Sequence, residues 1–548
     1  MEKRKHRLII AVCVLAAGLR FYRLGHQSLW VDEILTLGVS IPKPGLTIWD
    51  YLKYNIHGPL HSFAVYLIHF ISVSDTWLRV PSALAGVAGI IFFYAWISRW
   101  MGRRIALLAS TLFAINPMHL YYSQELRNYS FVLMFGMMAC WFFQRLLERE
   151  SKRVAVLFCV STAMAALSNF TAAFLFAAHT LIYFLHNGIK RGAIVRWLAV
   201  CIFILVLISP WVYRIVDIIE VKKLVTPVMP GELDTAQRLR GGTTIGWTAI
   251  PYGLYVFSAG FSLGPSLRYL HEHTDLSTVA WNFLPWILLV GGTFGLLALL
   301  GFLRLLKDGR FWREIAIYLV LPFVFTAVLC WQNAKAFNTR YLILALPAYL
   351  CVVGSGLIAV RNYLARTVLF VLVAGISLTS IANYYFNGAY GREDVRGATR
   401  YLDARASADD CILAPTVKEV VAHYLETPRT VRSVVSRPGT PKATVEARID
   451  EAIGRCRSLW YVRARPWVND SNGSILRILH EKYAVDEKRE FDGVQLFHFV
   501  ERPNGGEGRL EGGWPRSGDE EGGVRVGIGP SSGGREGRMS ASRTVLAL

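Results

Sequence analysis

Apolar residues in this chain fall in long blocks separated by short polar segments rich in Lys and Arg. Blocks approaching 20 residues predict helices that cross a membrane. They lie at 8–19, 81–98, 105–121, 131–147, 154–167, 171–184, 197–213, 281–303, 315–331, 341–360 and 367–385, about eleven spans. A further block, 60–73, is too short to cross. Treating it as an interfacial or re-entrant helix puts the basic clusters 99–104, 145–153, 190–196, 304–313 and 361–366 on one side, as the positive-inside rule requires. Lys3, Arg4, Lys5 and Arg7 then place the amino terminus in the cytoplasm. Arg20-Phe21-Tyr22-Arg23 follows the first block with no small-residue cleavage signal, so that block reads as a retained span. The odd count carries the carboxyl-terminal third to the outer face.

From Gly391 the pattern shortens. Helices are expected at 395–404, 418–425, 444–456 and 475–482, and extended segments at 411–414, 431–435, 459–462 and 494–500, which together suggest a small α/β domain. Beyond Glu501 the Gly-, Arg-, Ser- and Glu-rich sequence predicts disorder. The expected organisation is a transmembrane domain at 1–390, an extracytoplasmic α/β domain at 391–501 and a disordered tail at 502–548. The fold class is thus a polytopic α-helical membrane protein with outer-face interfacial helices and a small sheet domain.

Composition narrows the function classes. With 53% hydrophobic residues and a mean hydropathy of +0.36, the chain is not an ordinary soluble enzyme. Its formal charge of +20 does not indicate nucleic acid, because the cations sit between apolar blocks, where they encode topology. Cys411 and Cys456 lie in the polar third and are candidates to pair in an oxidising compartment. No Cys/His spacing suggests zinc.

Four polar constellations carry candidate chemistry, all on the predicted outer face. Asp32 and Glu33 follow Trp30 just after the first span; such carboxylates serve as general bases or simply cap an interfacial helix. The segment 116–129 holds Tyr122, Gln124, Glu125, Arg127 and Tyr129, where the Arg127 fork suits a phosphate or a local ion pair with Glu125. Lys335, Arg340 and Tyr341 precede the next-to-last span, and with Arg20 and Arg23 they supply outer cations for an anionic lipid headgroup or for snorkelling. His57 is positioned to orient substrate, donate to phosphate or ligate a metal. Arg79 reads as a snorkelling residue or a partner of Asp75.

These residues carry a resemblance. The segments Leu29-Trp30-Val31-Asp32-Glu33, His57-Gly58-Pro59-Leu60, Leu78-Arg79-Val80-Pro81-Ser82-Ala83-Leu84, Tyr122-Ser123-Gln124-Glu125-Leu126-Arg127-Asn128-Tyr129 and Arg340-Tyr341-Leu342 through Pro347 resemble the ordered landmarks of bacterial family 39 glycosyltransferases. These are GT-C membrane enzymes related to dolichyl-phosphate-mannose protein mannosyltransferases and lipid A aminoarabinose transferases. The resemblance implies inverting transfer of a hexosyl or pentosyl group from a polyprenyl-phosphate sugar to an extracytoplasmic acceptor, namely a glycolipid, envelope glycan or protein. In that reading Asp32 is the general base, and Glu33 and Glu125 bind sugar or acceptor or tune Asp32. Arg127, Arg340, Lys335 and Arg20 hold the donor phosphate; His57, Tyr122, Gln124, Tyr129 and Tyr341 line the cleft. The enzyme would sit in a bacterial inner membrane with its site on the periplasmic face. His57 stands where the aminoarabinose transferases present an acidic residue and a lysine, so a divalent metal stays an open expectation. The competing class is a lipid-linked saccharide flippase or transporter, which also needs outer cations and interfacial helices.

Overall fold

The computed structural model describes residues 2–41, 58–225, 248–273, 275–331, 337–437, 439–454 and 458–502, with positions 45, 47, 246 and 456. His57, Lys335 and the tail beyond residue 502 lie outside the described residues.

Every predicted span coincides with helix. Among the described residues, seven segments are long and apolar enough to cross a membrane: Asp75–Trp100, Tyr129–Glu148, Arg191–Val212, Leu284–Asp308, Trp312–Trp331, Thr339–Ala359 and Tyr363–Phe386. An eighth is the pair Arg103–Ala114 and Pro117–Ser123, bent by 58°. Pro117 opens the second member of this pair at a position where its missing N–H costs nothing, and the Asn116 side chain accepts from His119 N at 2.9 Å. The expected count of eleven also included Glu2–Phe21, Lys152–Ala166 and Ala172–Asn187. The first of these opens on a basic stretch, and the others have only 15 and 16 residues, short of the usual span.

The short block forms the helix Pro59–His69. It buries His61, Ser62 and Val65 on one side and exposes Phe63, Leu67 and, just beyond, Phe70 and Ile71 on the other, as an interfacial helix does. Gly58 lets it approach the end of the Lys152–Ala166 helix, since a Cβ there would meet Leu167 O at 1.8 Å. Between the blocks 197–213 and 281–303, the described residues are helical through Val225 and again at Ala249–Ala259, Leu267–Glu272 and Leu276–Asn282. Asn116 Nδ2 donates to Phe257 O at 2.7 Å, which docks the Ala249–Ala259 helix on the bend.

Ion pairs Arg99–Glu148, Arg196–Glu150 (2.7 Å) and His186–Glu314 (2.9 Å) gather the basic connections at one end of the bundle. Arg20 is fully buried near the opposite end. Its guanidinium donates to the carbonyls of Ala16, Phe113 and Ala114 and to Ser123 Oγ, and it contacts His119 Nδ1 at 2.8 Å. It therefore neutralises helix C-termini rather than standing free for a phosphate.

In the carboxyl-terminal third, strands β1 Cys411–Leu413, β2 Val431–Arg432, β3 Ser458–Ala464, β4 Tyr483–Phe491 and β5 Val494–Glu501 form one sheet in the order β2-β1-β3-β5-β4. β1 is parallel to β2 and β3, and β5 is antiparallel to β3 and β4. The pattern reading did not include β4, because this edge strand, Tyr-Ala-Val-Asp-Glu-Lys-Arg-Glu-Phe, is mostly charged, as edges that resist aggregation are. Cys411 and Cys456 are disulfide-bonded, with Cα atoms 5.9 Å apart. One face of the sheet, with Ile412, Trp460 and Val462, and the helix Lys418–Tyr424, with Val420, share a core with Leu29, Ile34, Val65, Leu78 and Leu126 of the membrane half. The helix Lys418–Tyr424 thus joins the sheet domain to the segment that bears Asp32, and its Tyr424 Oη accepts from Leu29 N at 2.7 Å.

Inside the bundle, Leu284–Asp308 meets Leu346–Ala359 backbone to backbone. A Cβ on Gly301 would lie 1.9 Å from Val352 O, and one on Gly356 would lie 2.0 Å from Leu297 O. Small residues permit such approach where lipid supplies no hydrophobic drive. Gly301→Val is expected to force the two helices apart and destabilise the detergent-solubilised protein by about 1–3 kcal/mol, read as a lower melting temperature.

Candidate active site

The helix Val31–Gly38 places two adjacent carboxylates in its first turn, where the N-terminal dipole favours them. Successive helical side chains diverge by roughly 100°. Asp32 consequently points outward, 26% exposed, while Glu33 points into the protein and is fully buried.

Glu33 is saturated with donors. Arg79 gives Nε to Oε1 at 2.9 Å and Nη2 to Oε2 at 2.7 Å; Leu126 N reaches Oε1 at 2.7 Å, Arg392 Nη1 reaches Oε2 at 2.5 Å and Trp30 N reaches Oε2 at 3.3 Å. Arg79 spends its remaining donors on the carbonyls of Leu24, Gln27 and Ser28. Burial would raise the Glu33 pKa, but Arg392, Arg79 and the Leu126 N–H outweigh it and hold the group at about 2. Glu33, expected among the catalytic groups, is a buried anchor whose acceptor oxygens are already engaged.

Asp32 faces two cations. Arg340 Nη1 lies 3.2 Å and Arg127 Nη2 lies 3.5 Å from the same oxygen, Oδ2. Arg127 Nη1 also donates to the Asp32 carbonyl and to Thr36 Oγ1, both at 3.1 Å, which locks the guanidinium to the helix. Each cation also lies 5.9 Å from the Tyr129 ring centroid, and Arg340 lies 5.6 Å from that of Tyr341. Tyr122 packs against Tyr129 with ring centroids 4.8 Å apart, and Phe170 packs against Tyr341 at 5.5 Å. An arginine pair over aromatic rings beside an accessible carboxylate is suited to an anionic group and a transferable proton.

Glu125 is nearly as buried as Glu33 but far less satisfied. Trp30 Nε1 donates to its Oε1 at 2.8 Å and Arg392 Nη2 lies 3.6 Å from the same atom, while Oε2 has no hydrogen-bond partner among the described residues. Burial raises its pKa to about 7; Arg392 opposes the rise and Glu33 adds to it. With all groups ionised, Asp32, Glu33 and Glu125 leave the four arginines 79, 127, 340 and 392 one positive charge in excess.

Of the residues singled out by sequence, Asp32, Glu125, Arg127, Arg340, Tyr122, Tyr129 and Tyr341 converge here. Gln124 does not line the cleft: its Nε2 donates to the carbonyls of Arg20 (2.9 Å) and Tyr22 (2.8 Å), and so caps the Glu2–Phe21 helix. Arg20 stands apart from the cluster, as described. Arg79 pairs with Glu33 rather than Asp75, which instead binds Arg396 at 2.9 Å and Tyr424 Oη at 2.6 Å. A charge flanked by apolar sequence was the signal for Arg79. Arg392, a lone arginine after the last span, had none. Among the described residues no three His, Cys, Asp or Glu side chains are grouped to hold a metal ion. The Asp32 and Glu33 carboxylates face guanidinium groups, and His57, the expected metal ligand, lies outside the described residues.

Residues 56–213 match the family model of dolichyl-phosphate-mannose-protein mannosyltransferases. Among solved structures, ArnT from Cupriavidus metallidurans in the apo state is 14% identical, with a TM-score of 0.51 over 89% of this chain and 97% of that one. The same protein bound to undecaprenyl phosphate gives 12% identity and a TM-score of 0.50 over the same shares. The fold is that of the GT-C membrane glycosyltransferases. The Archaeoglobus fulgidus oligosaccharyltransferase, in a complex with Zn and sulfate, shares the GT-C fold at 14% identity and a TM-score of 0.50, covering 90% of this chain and 73% of that one. A search of curated proteins finds no significant sequence match. The matched segment contains Arg79, Glu125, Arg127 and Tyr129 of the charged cluster, whereas Asp32, Arg340 and Arg392 lie outside it.

The two buried glutamates have opposite pH signatures. Glu33 is depressed on folding, so its stabilisation is present above its unfolded value of 4.5 and is lost as pH falls toward about 2. Glu125 is raised, so its contribution is most favourable below 4.5 and is lost as pH rises through about 7. Glu33→Gln, which strands two buried arginines, is expected to cost about 3–5 kcal/mol. Glu125→Gln is expected to raise the melting temperature over wild type, by more at about pH 8.5 than at about pH 5, in thermal unfolding of the purified protein.

Proposed function

We propose that this chain is an inverting glycosyltransferase that moves a sugar from a polyprenyl-phosphate donor to an extracytoplasmic acceptor. The observation that carries the reading is the accessible Asp32 carboxylate held between Arg127 and Arg340. The surplus positive charge of the cluster suits one phosphodiester. ArnT binds undecaprenyl phosphate, and a ligand of that class fits here. An open apolar groove of about 790 Å³ runs along the helix Ala172–Asn187, from Ala173 and Phe176 to Ile189 and Ile194, and would take the prenyl tail.

The donor phosphate competes with Asp32 for Arg340 and for the Nη2 edge of the anchored Arg127, and so frees the carboxylate. Asp32 then removes the proton of an acceptor hydroxyl as that oxygen bonds the anomeric carbon from the opposite side. The bond from that carbon to the phosphate oxygen breaks, its electron pair stays on the phosphate, and the two guanidinium groups stabilise the charge. The site faces the periplasm in this reading, with the basic end of the bundle cytoplasmic. The Cys411–Cys456 disulfide, in the sheet packed over the site, suits that oxidising side.

The decisive comparison is mass spectrometry of lipids, envelope glycans and envelope proteins from cells carrying the wild-type gene, no gene, or Asp32→Asn. A glycosylated product is expected with the wild type alone, and Asp32→Asn should lower its rate of formation about 10²–10⁴-fold. Arg127→Ala and Arg340→Ala should raise the KM for donor more than that for acceptor. Normal product with Asp32→Asn, or movement of lipid-linked saccharide across the membrane with no transfer, would overturn the reading.

A further inference from the structure

Arg392 is the residue of the charged cluster that comes from the far end of the fold. It lies on the link between the last span, Tyr363–Phe386, and the helix Val395–Asp403 that packs on the sheet. The link is fastened on both sides. Arg392 N donates to Gln27 Oε1 at 3.4 Å, Asp394 N donates to Asp492 O at 2.7 Å, and Ser28 Oγ donates to Asp394 Oδ1 at 3.1 Å. Arg396 continues the seam to Asp75 and to Gly25 O. The docking of the sheet thereby sets the depth to which Arg392 reaches.

At that depth its head group touches both buried glutamates. Nη1 is 2.5 Å from Glu33 Oε2, Nη2 is 3.6 Å from Glu125 Oε1, and the guanidinium carbon lies 5.2 Å from the Tyr121 ring centroid. Its Nε and Nη2 have no hydrogen-bond partner among the described residues, and neither has Glu125 Oε2. Buried groups of this kind are costly unless something completes them. A hydroxyl does so on both counts, since it accepts from an arginine N–H and donates to a carboxylate oxygen. The Glu33 end anchors the guanidinium while the Glu125 end is left unfinished.

We propose that Arg392 is a positioning residue of the transfer site, holding Glu125 so that the two together receive a hydroxyl of the substrate, and that the site is complete only with the sheet docked. This rests on the transferase reading for its substrate, though not for the Arg392–Glu125 coupling. The groups facing Glu125 are Asp32 and Glu33 from the Val31–Gly38 helix, Arg127 from its own loop, Arg392, and the phenols of Tyr121, Tyr122, Tyr129 and Tyr384. Arg392 is the first of the cations opposing the burial that keeps Glu125 protonated.

Two measurements on full-length protein separate this role from simple support of the fold. Infrared difference spectroscopy across pH on the purified protein, without substrate, should show a protonated-carboxyl band that Glu125→Gln abolishes. In Arg392→Ala its midpoint should move about 1–3 pH units higher, while Arg392→Lys, which keeps the charge, holds it near the wild-type value. In cells, the Asp32-dependent product should form about 10–100-fold more slowly with Arg392→Ala, and Arg392→Lys should recover part of that loss. An unmoved midpoint in Arg392→Ala overturns the coupling. If that variant fails to fold, Arg392→Gln, which keeps a hydrogen-bonding head group without the charge, takes its place, and an unmoved midpoint there overturns the coupling. Full product formation with Arg392→Ala overturns the substrate role while leaving the transferase reading intact. Absence of any Asp32-dependent product from wild-type cells counts against the transferase reading and the substrate role, and the spectroscopic result stands apart from it.

Discussion

The charged end of the molecule depends on the buried ion pair of Glu33 and Arg79. A lone charge at either position would carry a desolvation penalty of several kcal/mol. Here the penalty is offset because every N–H of Arg79 and both oxygens of Glu33 are hydrogen-bonded. The partners come from the turn at Leu24 to Ser28, from Leu126 and from Arg392, so one contact joins the loop after the helix Glu2–Phe21, the loop after the bend and the link to the sheet. Because the pair fixes Glu33 inward, helical geometry turns its neighbour Asp32 outward. The exposed carboxylate therefore owes its direction to a residue that meets no solvent.

Much of the membrane architecture was legible because the bilayer imposes a length on apolar runs, and every predicted block proved helical. The short block at 60–73 was legible for the same reason, since a run too short to cross must lie elsewhere. The span count was less secure: Lys152–Ala166 and Ala172–Asn187 sit at the length where sequence pattern stops discriminating. In the site, Asp32, Arg127 and Arg340 announced themselves as charges at the outer ends of apolar blocks. Arg20 and Gln124 showed the same local signal and proved to cap helix ends. A side chain's local setting cannot reveal whether the nearest unsatisfied carbonyl is in the fold or in a ligand. Arg392 was illegible for a different reason, because its partners, Glu33 and Glu125, lie hundreds of positions earlier in the chain.

Two adjacent acidic residues and a third nearby thus acquire three environments. Glu33 is paired and ionised, Asp32 is accessible between two cations, and Glu125 is buried with one oxygen uncommitted. Environment, rather than residue type, separates an anchor, a candidate base and a candidate proton-sensitive contact. The sheet domain contributes to this division through Arg392, which places charge among the carboxylates instead of merely covering the bundle.

The helix Pro59–His69 presents Phe63 and Leu67 outward while Val65 and Ile68 pack with Leu29 and Ile34 beneath the sheet. A surface helix of this kind settles at the boundary between headgroups and acyl chains. Through Val65 and Ile68, that boundary becomes a datum for the height of the Asp32 helix above the hydrocarbon. Bilayers of different thickness, to which the long spans adjust by tilting, then meet the same charged cluster at the same level relative to their headgroups.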